Sequence, residues 1–135
     1  MNKHDSHGKG LMGELSVAQK AIEKGMTVSK PLGEARYDLI LDDGKKLYRA
    51  QVKYCDRSRN GAIEIPLRRQ CHNNGYSKVY TSDEIDVVIV FFPSVNKFCW
   101  IEKEIFNGKT SLSIRENPPV KKTAKKFHLL NEFIW

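Results

Sequence analysis

The stretch that decides the fold runs Tyr37-Asp38-Leu39-Ile40-Leu41, then Asp42-Asp43-Gly44-Lys45, then Leu47-Tyr48-Arg49-Ala50-Gln51-Val52-Lys53. An Asp-Gly step between two apolar runs is a strong short-range signal for a β-hairpin. With Asp43-Gly44 as a two-residue loop, Asp38 lies opposite Arg49. Side chains alternate across a strand, so Asp38, Arg49, Gln51 and Lys53 share one face. Leu39, Leu41, Tyr48, Ala50 and Val52 share the other, which is apolar and can pack on a core. The first face gathers an acid, an amide and two cations within diagonal reach. A carboxylate can hold a hard divalent cation through oxygen, and a lysine beside it can orient or polarise a water. Those are the parts needed to hydrolyse a phosphodiester.

Upstream, Leu11, Leu15, Ala18 and Ile22 recur at helical spacing and Gly25 is a stop signal. Met12 to Lys24 is therefore predicted as an amphipathic helix with that stripe buried. Glu14 precedes Leu15 at the edge of the stripe, where it leans over a neighbouring sheet. Each feature has a plainer meaning alone. A first-turn acid favours a helix N-terminus by itself, and polar sheet faces are common.

Taken together, these residues resemble the PD-(D/E)XK nuclease superfamily. Its pattern is a helix glutamate, an aspartate opening a hairpin, and an acid-x-lysine on the second strand. Here the elements are Glu14 in Gly13-Glu14-Leu15, Asp38 in Tyr37-Asp38, and Gln51-Val52-Lys53. Within the superfamily the chain is most similar to homing endonucleases encoded in bacterial group I introns. Three strings carry that closer likeness: Arg36-Tyr37-Asp38-Leu39, Tyr48-Arg49-Ala50-Gln51-Val52-Lys53, and Tyr80-Thr81-Ser82-Asp83-Glu84-Ile85-Asp86. The likeness reaches from about Gly8 to Pro118-Pro119.

Two positions depart from the pattern. Tyr37 replaces the proline before the aspartate, which removes a backbone restraint but no ligand. Gln51 replaces the usual second acid; its amide oxygen can coordinate a metal but adds no charge and cannot act as a base. The intron-encoded branch also carries glutamine here, with Glu14 making up the charge.

The resemblance implies an α/β fold with a restriction-endonuclease-like core, a mixed central sheet flanked by helices. It implies a magnesium-dependent, sequence-specific double-strand DNA endonuclease, with Mn²⁺ able to replace Mg²⁺. Glu14, Asp38, Gln51 and the Val52 carbonyl would ligate the ion, and Lys53 would position the attacking water. Cutting both strands needs two sites, so a homo-oligomer, dimer or tetramer, follows. Two alternatives share these residues: a Holliday junction resolvase that reads branched shape, and a catalytically inactive DNA-binding module, which Gln51 would allow.

Composition agrees with a nucleic-acid enzyme. At 135 residues and a net charge of +7, the chain reads as one basic domain suited to a polyanionic partner. Arg57, Arg59 and Asn60 sit in the turn after the Lys53 strand, which makes them the first expected DNA contacts, with Lys9 and Arg68 beside them. The basic run Lys121-Lys122 with Lys125-Lys126 is expected to be solvated. Cys55, Cys71 and Cys99 form no paired spacing, and no leader segment is read. These point to buried thiols in a reduced, cytoplasmic chain, and the resemblance implies a bacterial or phage origin. Cys71-His72 and the His4/His7 pair lack partners at zinc-finger spacing. No apolar run reaches membrane-spanning length.

The rest of the chain predicts short strands at Met26–Lys30, Ala62–Ile65, Lys97–Ile101 and Thr110–Ile114. Ile85 to Phe92 is a nearly continuous apolar run, expected to be a central strand buried on both faces. Residues 67 to 82 read as a loop or short helix, and residues 1 to 8 as disordered. Residues 118 to 135 read as a basic and apolar tail, helical in part, whose apolar end either packs back or forms an interface. Asp86, opening the buried strand, is expected to be structural.

Overall fold

The computed structural model describes residues 6–56, 61–70, 77–121 and 126–135. It opens with helix α1 (Ser6–Glu23) and strands β1 (Thr27–Ser29), β2 (Leu39–Asp42) and β3 (Leu47–Tyr54). Then come β4 (Ala62–Pro66), β5 (Arg68–Gln70), β6 (Ser77–Val79), β7 (Val87–Phe92) and β8 (Lys97–Glu102). A short helix α2 (Lys103–Phe106), β9 (Ser111–Arg115), β10 (His128–Leu129) and a 3-10 turn (Leu130–Glu132) complete the chain.

The main sheet has the order β1-β2-β3-β7-β8 and is mixed, because β3 and β7 run parallel while the other neighbours run antiparallel. All six residues of β7 are buried, as its unbroken apolar sequence requires of a strand covered on both faces. One face carries Leu39, Leu41, Ala50, Val52, Val87, Ile89 and Phe91 and packs on α1. The other carries Val88, Val90 and Phe92 and packs under a second sheet, β10-β9-β4, through Ile63, Ile65, Leu112 and Ile114. The expected mixed α/β sheet is therefore present, with a helix over one face and a small sheet over the other.

The hairpin is real, but its register differs from expectation. The ladder pairs Asp42 with Leu47 and Leu39 with Ala50, so the loop is residues 43–46. Side-chain oxygens explain the longer loop. Asp43 Oδ1 accepts from the Lys45 and Lys46 N–H groups at 2.8 and 2.7 Å, and Asp42 Oδ1 accepts from Gly44 N–H at 2.8 Å. Gly44 takes the positive φ of 91° that this turn demands. The shift is two residues, one full strand period, so every side chain keeps its face. Arg49 now faces Ile40, and Asp38 comes level with Gln51.

Helix α1 starts at Ser6, so residues 6–8 are helical where disorder was expected; residues 1–5 lie outside the described set. Its buried stripe is Gly13, Val17 and Ala21. Of the expected stripe, Leu11, Leu15 and Ile22 are 46%, 62% and 62% exposed, while Ala18 packs against the core. Small residues win the sheet side because they let the helix lie close. A Cβ on Gly13 would stand 3.3 Å from Tyr54 Cβ and 3.5 Å from Val52 Cγ1.

Two further expectations fail. Within residues 67–82 the described segments pair as strands β5 and β6, with Arg69 opposite Lys78, where a loop or short helix was expected; residues 71–76 lie outside the described set. Among its described residues the tail has no α-helix: β10 adds in parallel to β9, Leu130 is buried, and Phe133 and Trp135 pack on their own chain. Trp100 N–H donates to Phe133 O at 2.8 Å and Trp135 N–H to Phe98 O at 3.0 Å, so this segment covers the outer edge of β8. No described helix is long and apolar enough to cross a membrane.

Candidate active site

Strand length creates the site. β2 pairs only with the first half of β3, leaving Gln51 to Tyr54 without a neighbour on that side. Asp38, one residue ahead of β2, closes the gap. Its N–H donates to Ala50 O at 2.9 Å, and its Oδ2 accepts from Val52 N–H at 2.9 Å. The Val52 carbonyl points out of the same open edge, because a strand residue's N–H and C=O lie on one side. Its bond from Gln51 Nε2 is long, at 3.4 Å. Gln51 itself is 7% exposed, a buried amide at the sheet's end.

Glu14 reaches this corner from the opposite face of the sheet. The close approach of α1 at Gly13 brings its next residue to the end of β3. Glu14, Asp38, Gln51 and Val52 line one cavity of about 340 Å³, together with Lys30, His7 and Leu11. A second cavity of about 430 Å³ adjoins it and shares Glu14, Asp38 and Lys30, adding Tyr37 and Arg69. Lys30 Nζ lies 3.5 Å from Glu14 Oε2.

Lys53 stands on the same face of β3 but does not line either cavity. Its ammonium donates to the Tyr80 hydroxyl at 3.3 Å. Burial pulls the Lys53 amine below its usual range, and the Asp38 charge opposes that pull. Burial likewise lifts the Asp38 carboxyl above its usual range. The Val52 N–H bond resists this, and the Glu14 charge adds to it.

The four residues expected around an ion thus line one cavity, and the Lys53 charge acts on Asp38. Arg49, expected on the same face, serves structure instead. It pairs with Asp86 at 3.0 Å and donates to the Asp83 carbonyl at 2.8 Å, which also makes Asp86 structural, as expected. Lys9 is tied to Asp56 at 3.3 Å. Arg68 is exposed on β5. Arg57, Arg59 and Asn60 lie outside the described residues, as do Cys71, His72 and part of the lysine run. Cys55 and Cys99 are free thiols, pushed up by burial to about 11 and about 12.

The sequence reading gave no role to Lys30 or Tyr80 and, of the basic pair Arg68-Arg69, singled out Arg68. Arg69 depends on a hairpin that alternation did not reveal, and its guanidinium donates to Ala35 O at 2.6 Å. Tyr80 was visible only as one letter of the third string. Among the described residues no three His, Cys, Asp or Glu side chains cluster as metal ligands, since Gln51 stands where a further acid would complete such a group.

No curated protein matches the chain. A solved bacterial homing endonuclease superposes with a TM-score of 0.75 at 22% identity, over 96% of this chain and 88% of that one. At that identity the likeness speaks for the fold. The sequence model described as PD-(D/E)XK endonuclease matches residues 4–134. That match runs along nearly the whole chain and includes the helix, the hairpin and the central strand just described, so this chain belongs to the PD-(D/E)XK endonuclease family.

Proposed function

We propose that this endonuclease hydrolyses both strands of duplex DNA at a specific sequence, with Mg²⁺ as its ion. The observation that carries the reading is the meeting of Glu14, Asp38, Gln51 and Val52 in one cavity at the open end of β2.

The donor set fits a hard divalent cation. All its candidate atoms are oxygens: two carboxylates, an amide and a backbone carbonyl. The Glu14 and Asp38 charges oppose each other, and a cation between them removes that repulsion. Glu14, Asp38, Gln51 and Val52 would hold Mg²⁺, with Mn²⁺ a substitute; when bound it supplies positive charge to phosphate oxygens and makes water a better nucleophile. The chain's own residues do the rest. Val52 N–H fixes the Asp38 carboxylate, so this ligand needs no ordering when substrate arrives. Lys53, charged beside Asp38, orients the attacking water and offsets charge developing on the phosphate. Lys30 and Arg69 on the rim take flanking phosphates, while Lys9 must exchange Asp56 for one. Arg57, Arg59, Asn60 and Arg68 are the proposed contacts to the duplex. Two cuts require a homo-oligomer, and free thiols suit a reducing cytoplasm.

Plasmid, linear duplex and a four-way junction, each with Mg²⁺ or with a chelator, test the reading. We expect Mg²⁺-dependent cutting of duplex DNA at a discrete site. Cutting confined to the junction would mean a resolvase, and binding without cutting an inactive module. Lys53→Ala should slow cleavage by at least about a hundredfold, the effect of removing one preorganised charge, while DNA binding persists. Unchanged cleavage by that variant would remove Lys53 from the mechanism.

A further inference from the structure

We propose that Tyr80 is a positioning residue for Lys53: its buried hydroxyl holds the lysine ammonium on the face of β3 that Asp38 shares, ready for the phosphate. The proposal rests on the reading of Lys53 given above.

A lysine has four rotatable carbons and a point charge at its tip, so it needs an anchor to stand in one place. Among the described residues no carboxylate is near enough to form an ion pair with the Lys53 ammonium. The anchor is the Tyr80 hydroxyl, 3.3 Å from Nζ. Nζ also lies over the ring, 5.1 Å from its centroid, a cation–π contact that a phenylalanine would keep; what tyrosine adds is the hydrogen bond. Burial pushes the phenol up to about 12, which keeps it a neutral acceptor.

Tyr80 is itself held rigidly. It is 1% exposed, its N–H donates to Leu67 O at 3.1 Å, and its carbonyl accepts from Gly108 N–H at 3.2 Å. The Arg36 guanidinium lies 4.9 Å from the ring centroid. Arg36 is pinned by Glu84 at 2.6 Å and by the Lys78 and Val79 carbonyls at 3.1 Å each. Arg36 is two residues from Asp38, so one cluster braces both the lysine and the segment that delivers the acid. A phenylalanine at position 80 would fill the same core without the cost of burying a hydroxyl. The hydroxyl is there for Lys53.

Tyr80→Phe keeps the ring and removes the anchor. We expect the variant to melt within a few degrees of wild type and to bind duplex DNA equally well with Ca²⁺ in place of Mg²⁺. Its maximal cleavage rate should fall about tenfold with KM unchanged, the loss expected for one hydrogen bond to a charged group. Made in Lys53→Ala, the same change should cost nothing more. A second measurement needs no cleavage. The Lys53 Nζ–H NMR signal, assigned by its absence from Lys53→Ala, should be visible in wild type and lost in Tyr80→Phe. A signal that is unseen in wild type or unchanged in Tyr80→Phe overturns the proposal, as does an additive rate loss in the double variant. If Lys53→Ala cleaves normally, the nuclease role of Lys53 fails, and the NMR comparison still decides whether Tyr80 holds it.

Discussion

At position 51 the site trades a charge for a neutral amide, in a place too buried for water to compensate. Gln51→Glu would put a charged group of nearly the same shape at the proposed ligand position, whereas Gln51→Ala removes the amide altogether. We expect Glu to keep most activity and Ala to weaken the Mg²⁺ dependence of single-turnover cleavage by about ten- to a hundredfold. Full activity in Gln51→Ala would place position 51 outside the metal shell. Asp86 offers a test of stability in place of chemistry. The Arg49 side chain holds its carboxyl below 3.8, aided by the Arg49 N–H at 2.8 Å. A depressed folded value means that the pair stabilises the fold fully above pH 3.8 and loses that effect as pH falls through the lower folded value. Asp86→Asn should therefore cost about 1–2 kcal/mol near neutral pH, discounted for partial exposure. In urea titrations its gap from wild type should close below pH 3.8. A gap of constant size would mean the charge is irrelevant.

The elements show how far local chemistry can be read from letters. The β2–β3 hairpin and its two faces followed from period-two alternation, which a two-residue register error leaves intact. The register itself depended on Asp43 capping two N–H groups, a contact that an Asp-Gly signal does not specify. Helix α1 was found but rotated. Its bulky residues suggested the core face, yet the residues it buries on the sheet are Gly13, Val17 and Ala21, with Ala18 half-buried beside them. Glu14 was correctly placed at the margin, since either orientation leaves it beside the sheet. The β5–β6 hairpin escaped notice because its strands have three residues each and little alternation. Close helix–sheet contact is testable. Gly13→Leu should destabilise the protein by about 1–3 kcal/mol through overpacking, despite the better helix former, and should lower Mg²⁺ affinity by moving Glu14. Unchanged melting would show that α1 has slack against β3.

For the whole molecule, the question is assembly. The tail that offered an interface is spent on its own domain, whereas Leu11, Leu15 and Ile22 face solvent along one side of α1. Such an aliphatic row suits a partner helix, and a second copy is the partner that the proposed double-strand cut calls for. We expect light scattering to give a multiple of 15.5 kDa and Leu15→Glu to reduce it to a single chain that nicks DNA but does not linearise it. A mass of 15.5 kDa for wild type, free and on DNA, would rule out the assembly. The segment over β8 has a different consequence. Residues 133–135 satisfy backbone groups that would otherwise lie bare along a strand whose Phe98, Cys99 and Ile101 are buried. Peeled away, they leave a border that can recruit the same border of the next molecule. The hydrogen bonds at Phe98 and Trp100 thus also close an edge that could otherwise pair with another chain.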